Sequence, residues 1–218
     1  MGAPAQGGNG IERAGMEEVL HETGHTRAMA ARTARWLAAS GAASVGARMA
    51  WKILIERGNL GFSAAHFITF EGTCEPLHGH NYGVRVEAAG DLTADSYVFD
   101  FVVLKNIVRT LCKEWDHRFL LPLRNPHLSV AEQDTAWEIT YNAEASYRLP
   151  KSSVVALDVD NATAERLAET LASRIVGVLR ERGIGDSLRT LTVGIEETEM
   201  QTAFYTLDLS LAARPPGA

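Results

Sequence analysis

Residues 61–88 read GFSAAHFITFEGTCEPLHGHNYGVRVEA, and this stretch decides the fold. It opens on an extended run, GFSAAHFITF (61–70), breaks at a Gly- and Pro-containing stretch (71–77), and resumes as NYGVRVEAAGDL (81–92), where apolar and polar residues alternate. Alternation of period two marks half-buried strands, so the stretch predicts antiparallel strands joined through 71–77. AWKILIERG (50–58) alternates in the same way and predicts another strand ahead of them. His78 and His80 are one residue apart, so on a strand both imidazoles point to one face, and Gly79 between them permits a close approach. An H-x-H pair alone is also common as polar decoration of an exposed strand. His66 changes that reading. If 61–70 pairs with 78–88, its side chain reaches the same face, and three neutral imidazoles with an open fourth position describe a catalytic zinc site.

Downstream, DFVVLKNIVRTLCKEWDHRFL (100–120) places Phe101, Leu104, Ile107, Val108, Leu111 and Trp115 at helical spacing, with Asp100 as the cap. Residues 122–160 begin with Pro and Asn punctuation and then give two strand-like runs, TAWEITY and SYRLPKSSVVALDV, around the turn-prone NAEA, which predicts an inserted hairpin. NATAERLAETLASRIVGVLRERG (161–183) predicts a second helix, with Asn161 as N-cap, Glu165 in the first turn, Leu167, Leu171, Ile175 and Leu179 inward, and Gly183 as the stop. Two more strands, LRTLTVGIEET and TAFYTLDLSLA, precede a Pro-Gly tail at 213–218. Strands, helix, hairpin, helix and strands in that order make an α+β fold over 49–212.

Residues 1–48 differ in texture, being rich in Gly, Ala and Arg with nothing strand-like. They read either as an appended, partly helical or disordered extension, or as an overlong start with Met49 the first residue of the folded chain. Glu12, Glu17, Glu18 and Glu22 argue against a transit peptide, and no apolar h-region of a secretory signal is present. His21 and His25, four apart, read as a solvated pair rather than a metal pair. The 218 residues carry a formal charge of −6 and no apolar run of the roughly 20 residues that cross a bilayer. The expectations are therefore a cytoplasmic protein with no nucleic-acid or membrane partner. Cys74 and Cys112 alone do not make a disulfide framework; Cys112 reads as a small buried hydrophobe.

Other residues with chemical potential cluster around the histidines in sequence. Cys74, four residues ahead of His78, would ionise beside a divalent cation and act as nucleophile, base or fourth ligand. Asp116 and His117 suit proton transfer if the carboxylate orients the imidazole, although such a step at a helix end also serves as a plain cap. Glu196 and Glu197 fall on a strand and point to opposite faces, so one of them can enter a shared pocket and accept two parallel N–H bonds from an amidine-like edge.

FSAAHF, CEPLHGHNYGVRVE, DFVVLK, WDHRFL, NATAE and EETEMQTAFY together resemble the 6-pyruvoyl-tetrahydropterin synthase and 6-carboxytetrahydropterin synthase family over roughly 51–120 and 156–210. The resemblance implies a tunnelling fold: a four-stranded antiparallel sheet with two helices on one face, assembled as a hexamer-like homo-oligomer with active sites between subunits. It implies that His66, His78 and His80 bind zinc, that Cys74 is the thiolate base, and that Asp116 and His117 relay protons from a neighbouring chain. Glu197, preferred to Glu196 because Thr198, Ala203 and Tyr205 follow it in the family's terminal pattern, would hold the pterin edge. Thr163 and Glu165 would touch the pterin or only cap the helix.

The implied substrate is dihydroneopterin triphosphate. The three-residue gap between Cys74 and His78 resembles the branch that releases acetaldehyde and triphosphate to give 6-carboxytetrahydropterin, the precursor of queuosine. The alternatives are triphosphate elimination to 6-pyruvoyltetrahydropterin and release of a 6-hydroxymethyl-dihydropterin. Glu75 bears on the last, since another branch uses a Glu in place of the Cys; here it is either a solvated loop residue or a competing base. The insertion at 122–160 and the N-terminal segment depart from the compact family core. Outside that reading stand a His-ligated zinc hydrolase for another small molecule, and a metal-stabilised pterin-binding oligomer without turnover.

Overall fold

A computed structural model of the chain describes residues 51–56, 60–142 and 145–210. The chain divides at Met49 and Ala50, and the described residues all belong to the second unit. His21, His25 and the 213–218 tail lie outside them.

Twelve strands and two helices follow one another: β1 Trp51–Ile55, β2 Gly61–His66, β3 Thr69–Phe70, β4 Thr73–Cys74, β5 His78–Gly90, α1 Phe101–Trp115, β6 Arg118–Pro122, β7 Leu128–Glu132, β8 Ala136–Tyr141, β9 Ala145–Pro150, β10 Val154–Leu157, α2 Ala164–Glu181, β11 Leu188–Thr198 and β12 Gln201–Asp208. The long β5 organises the main sheet. β1 and β2 pair antiparallel with successive halves of it on one side, and β11 and β12 follow antiparallel on its other side. The expected four-stranded antiparallel sheet is thus extended: β6 and β10 add in parallel beyond β2, giving seven strands. The connection 71–77, expected as a plain loop, includes β4, which pairs with β3 just ahead of it.

Tyr82, Val84, Val86 and Ala88 on β5 and Leu191, Val193 and Ile195 on β11 line one sheet face, where they share a core with both helices. α1 contributes Leu104, Ile107, Val108, Leu111, Cys112 and Trp115, so Cys112 is the buried hydrophobe its neighbours predict. Asp100 caps α1, accepting from the Val102 and Val103 amides. Among the described residues no helix is long and apolar enough to cross a membrane.

Residues 122–160 form more than a hairpin. β7, β8 and β9 make a three-stranded sheet, and the run read as one strand breaks after Pro150 into a short 3-10 turn before β10 rejoins the main sheet. Phe119, Leu121 and Val154 meet Phe67 and Ile139 in a second apolar cluster, while Leu120 and Leu157 join the helix-covered core. The inserted sheet therefore packs beside the main sheet's other face.

The N-cap of α2 is Thr163, whose hydroxyl accepts from the Arg166 amide, and not Asn161. Asn161 is used differently: its amide group donates to the Thr69 carbonyl at 2.9 Å and accepts from the Thr69 amide at 3.2 Å, while Asn125 donates to the Thr69 hydroxyl at 2.8 Å. This clamp ties the segment ahead of Cys74 to the start of α2. Thr163→Ala is expected to cost about 1 kcal/mol as a lost cap. Asn161→Ala leaves two backbone groups of Thr69 unpaired and is expected to cost about 2 kcal/mol. Urea unfolding of the two variants measures the order, and a larger loss for Thr163→Ala would contradict it.

Candidate metal centre and substrate cleft

The β2–β5 register sets His66 opposite His78 and Ala64 opposite His80, so all three imidazoles fall on the helix-covered face. Their ring centroids are 4.6, 4.9 and 5.2 Å apart, and one ligand atom from each lies within 4.8 Å of the others. Gly79 permits a close approach, as expected, but what approaches is backbone: a Cβ there would stand 2.9 Å from the Ala64 carbonyl oxygen.

Backbone carbonyls orient two of the rings. His66 Nδ1 donates to Ala162 O at 2.9 Å and His78 Nδ1 to Pro76 O at 2.8 Å. Donation from Nδ1 leaves the lone pair on Nε2, the arrangement usual for metal-bound histidine. His66 Nε2 is buried without a hydrogen-bond partner, and the nearest charge is Glu197 Oε1 at 3.4 Å. Glu197 Oε1 also stands 3.9 Å from His80 Nε2. A buried lone pair facing a carboxylate oxygen is repulsive unless a proton or cation lies between them. Burial, the largest cause, together with His78 and His80, lowers the His66 pKa against the opposing pull of the Ala162 carbonyl and Glu197. With Nδ1 donating to a carbonyl and Nε2 unpartnered, a metal cation is the group that fits between the ring and the carboxylate. Three imidazoles suit zinc, whose N-ligand distances are about 2.0–2.1 Å.

Glu196 and Glu197 point to opposite faces. Glu196 accepts from Arg85 at 2.6 Å away from the histidines. Alternation from Leu191, Val193 and Ile195 puts Glu197 on the histidine face, and a register shift between Glu196 and Thr198 leaves it without a partner on β12. There it lines a cavity of about 610 Å³ with Thr163, Glu165, Met200 and Thr202. Thr163 and Glu165 thus share a cavity with Glu197, although the Thr163 hydroxyl is also the helix cap.

Cys74 is half-buried on β4 and packs against the second apolar cluster; the group of mutually close ligand atoms contains the histidines without it. Burial first and the Glu75 charge second raise its pKa. Glu75 is tied into the loop, its amide donating to Ile68 O at 3.0 Å and its carboxylate accepting from the Ile68 amide at 3.4 Å. It is not merely solvated. After burial and Glu197, its charge also helps push the Tyr82 phenol far above its ordinary range.

Asp116 and His117 lie elsewhere. Asp116 accepts from the Ser63 amide at 2.8 Å, which, ahead of His117, lowers its pKa; its other oxygen is 3.0 Å from His117 Nδ1. The His117 amide donates to Ser63 O at 2.6 Å, and these bonds hold a left-handed backbone, φ 58°, that a non-glycine residue seldom adopts. His117, 82% exposed, lines a cavity of about 500 Å³ with Ser63, His80, Arg118 and Leu149, the last from the inserted sheet. Sequence reasoning did not single out Tyr82 or Leu149. Tyr82 had a signal: positions 78, 80 and 82 share one strand face.

Residues 57–208 match the family described as 6-pyruvoyl tetrahydropterin synthase. A protein of Methanocaldococcus jannaschii named as a 6-carboxy-5,6,7,8-tetrahydropterin synthase is 33% identical over 147 residues, 67% of this chain and 89% of its own. The crystal structure of 6-pyruvoyl tetrahydropterin synthase from Plasmodium vivax is 30% identical, covers 73% of this chain and 99% of its own, and superposes with a TM-score of 0.67. A variant of that Plasmodium vivax enzyme with a catalytic glutamate replaced by alanine is 31% identical at the same coverage, with a TM-score of 0.65. A match running from β2 to β12, around an oriented histidine cluster, leaves one conclusion: the chain belongs to the 6-pyruvoyl tetrahydropterin synthase family.

Proposed function

We propose that this chain is a zinc-dependent 6-carboxytetrahydropterin synthase, converting dihydroneopterin triphosphate to 6-carboxytetrahydropterin with release of acetaldehyde and triphosphate, in supply of 7-deazaguanine synthesis such as that of queuosine. The observation that carries the metal requirement is the buried, unpartnered Nε2 of His66 facing the Glu197 carboxylate. The name of the Methanocaldococcus jannaschii relative supports the carboxy product.

His66, His78 and His80 hold the metal. Bound zinc supplies Lewis-acid charge to the side-chain hydroxyls of the substrate, which acidifies the neighbouring C–H and O–H groups. Cys74 accepts the proton. Glu197 accepts from the amidine-like edge of the pterin in the cavity that Thr163 and Glu165 share. Asp116 orients His117 for proton transfer. Because His117 and Glu197 line different cavities, we assign the relay to a second copy, with active sites between subunits of a homo-oligomer.

A second reading has a specific observation behind it. Glu75 is anchored in the loop with its charge felt at both Cys74 and Tyr82, and a glutamate is the catalytic residue of the Plasmodium vivax relative. In that reading Glu75 is the base and a 6-hydroxymethyl-dihydropterin leaves.

Mass spectrometry of the products from zinc-loaded protein and dihydroneopterin triphosphate separates the readings. A 6-carboxy product lost in Cys74→Ala and kept in Glu75→Ala is expected; a hydroxymethyl product lost in Glu75→Ala would move the assignment to the second. Glu197→Gln is expected to raise KM about tenfold to a hundredfold through weakened charge-assisted bonds. Intact pterin affinity in Glu197→Gln would favour a zinc hydrolase for another substrate, and full function in Cys74→Ala would favour a binding protein.

The thiol itself titrates measurably. A raised pKa means less thiolate at any given pH, so labelling of Cys74 in metal-free protein should still be accelerating above about pH 10, where an ordinary thiol levels off. Removing the charge in Glu75→Gln lowers that pKa and should speed labelling at pH 8 by about two- to threefold. Slower labelling in Glu75→Gln would contradict the electrostatic placement of Glu75.

A further inference from the structure

Tyr82 lies two residues beyond His80 on β5, which puts its ring on the histidine face. It is 2% exposed, stacks on Phe62 with centroids 4.9 Å apart, and Phe62 is braced edge-on by Trp115 at 5.2 Å. The ring also meets His66 at 5.8 Å and His80 at 5.5 Å. These contacts fix its direction and leave one polar atom to place. The hydroxyl donates to Glu197 Oε1 at 3.4 Å, a long bond, and among the described residues it is the one hydrogen-bond donor to that carboxylate.

The same Oε1 stands 3.4 Å from His66 Nε2 and 3.9 Å from His80 Nε2. Ligand atoms around a tetrahedral zinc are about 3.3 Å apart when each lies about 2.0–2.1 Å from the metal. Glu197 is therefore within a small movement of becoming a fourth ligand. A site closed by four protein ligands is a structural one, whereas catalysis needs the fourth position for substrate.

We propose that Tyr82 is a positioning residue that restrains Glu197 beside the metal site, keeping the fourth coordination position open and the carboxylate directed to the cavity it shares with Thr163 and Thr202. This rests on the reading of the three histidines as a zinc site. Without the phenol hydroxyl, Glu197 has no donor to hold it, and the attraction of the cation draws it into the coordination shell.

Tyr82→Phe deletes the hydroxyl and keeps the ring packing. In the full-length, zinc-loaded chain, zinc release to a chromogenic chelator should slow about tenfold in Tyr82→Phe, while binding of neopterin, followed by its fluorescence, should weaken about tenfold. A merely structural role would loosen both. The double variant Tyr82→Phe/Glu197→Gln should return zinc release to the wild-type rate, and Glu197→Gln alone should leave it unchanged. Zinc release that is unchanged or faster in Tyr82→Phe would overturn the proposal, as would a double variant no different from Tyr82→Phe. So would tenfold faster release in Glu197→Gln alone, which would make Glu197 a ligand already and needs no folded Tyr82 variant. The zinc arm involves no pterin: a wild-type chain that does not retain zinc any better than His66→Ala sinks the metal reading itself, whereas zinc retained but insensitive to Tyr82→Phe sinks only the role of Tyr82.

Discussion

The register of β2 on β5 is the constraint on which the rest of the structure depends. It sets Phe62, Ala64 and His66 against Tyr82, His80 and His78, so the core and the histidine cluster are successive stretches of one sheet face. A slip of one residue would turn the histidines to the opposite face and the buried aromatics with them. Two glycines help to exclude such a slip. A Cβ at Gly61 would stand 2.4 Å from the Tyr82 carbonyl oxygen, and one at Gly79 would press on Ala64, so the strands close only where those residues have no side chain. Phe62, stacked on Tyr82 and braced by Trp115 of α1, extends the same constraint into the helical layer.

The sheet thereby holds together groups that would separate in water. The unpartnered Nε2 of His66 and the Glu197 carboxylate oppose one another in a buried place, with the His78 and His80 rings beside them. Folding tolerates this because Ala162 and Pro76 satisfy the outer ring nitrogens and Tyr82 donates to the carboxylate. What is left is a concentrated demand for positive charge at one point. Such a demand links cation binding to the stability of the whole sheet end.

Much of this was legible in the sequence because it depends on short-range periodicity. The alternation in 81–92 and the spacing of 66, 78 and 80 locate the strands and histidines, and the apolar spacing of 101–115 with Asp100 locates α1. Features that failed to show depend on contacts distant in the chain. Asn161 and Thr163 are both good caps by type, and only the partner of Asn161, Thr69, 92 residues away, decides between them. The parallel pairing of β6 with β2 and β10 has no local signal, so the sheet looked narrower than it is. The bulge at Glu197 likewise emerges from the pairing of β11 with β12, whereas its face follows from the strand alternation that separates it from Glu196.

The inserted residues matter to the site through the face that they cover. The helices occupy the face on which His66, His78, His80 and Glu197 converge, while β7 to β9 pack beside the other, next to Phe119 and Leu121. Asp116 and His117 stand at the boundary, at the end of α1 and the start of β6, bonded through Ser63 to the strand that carries His66. The same hydrogen bonds hold the left-handed turn at His117, which lines the second cavity. Within one chain His117 and Glu197 thus line different cavities, with His80 bordering the one that holds His117.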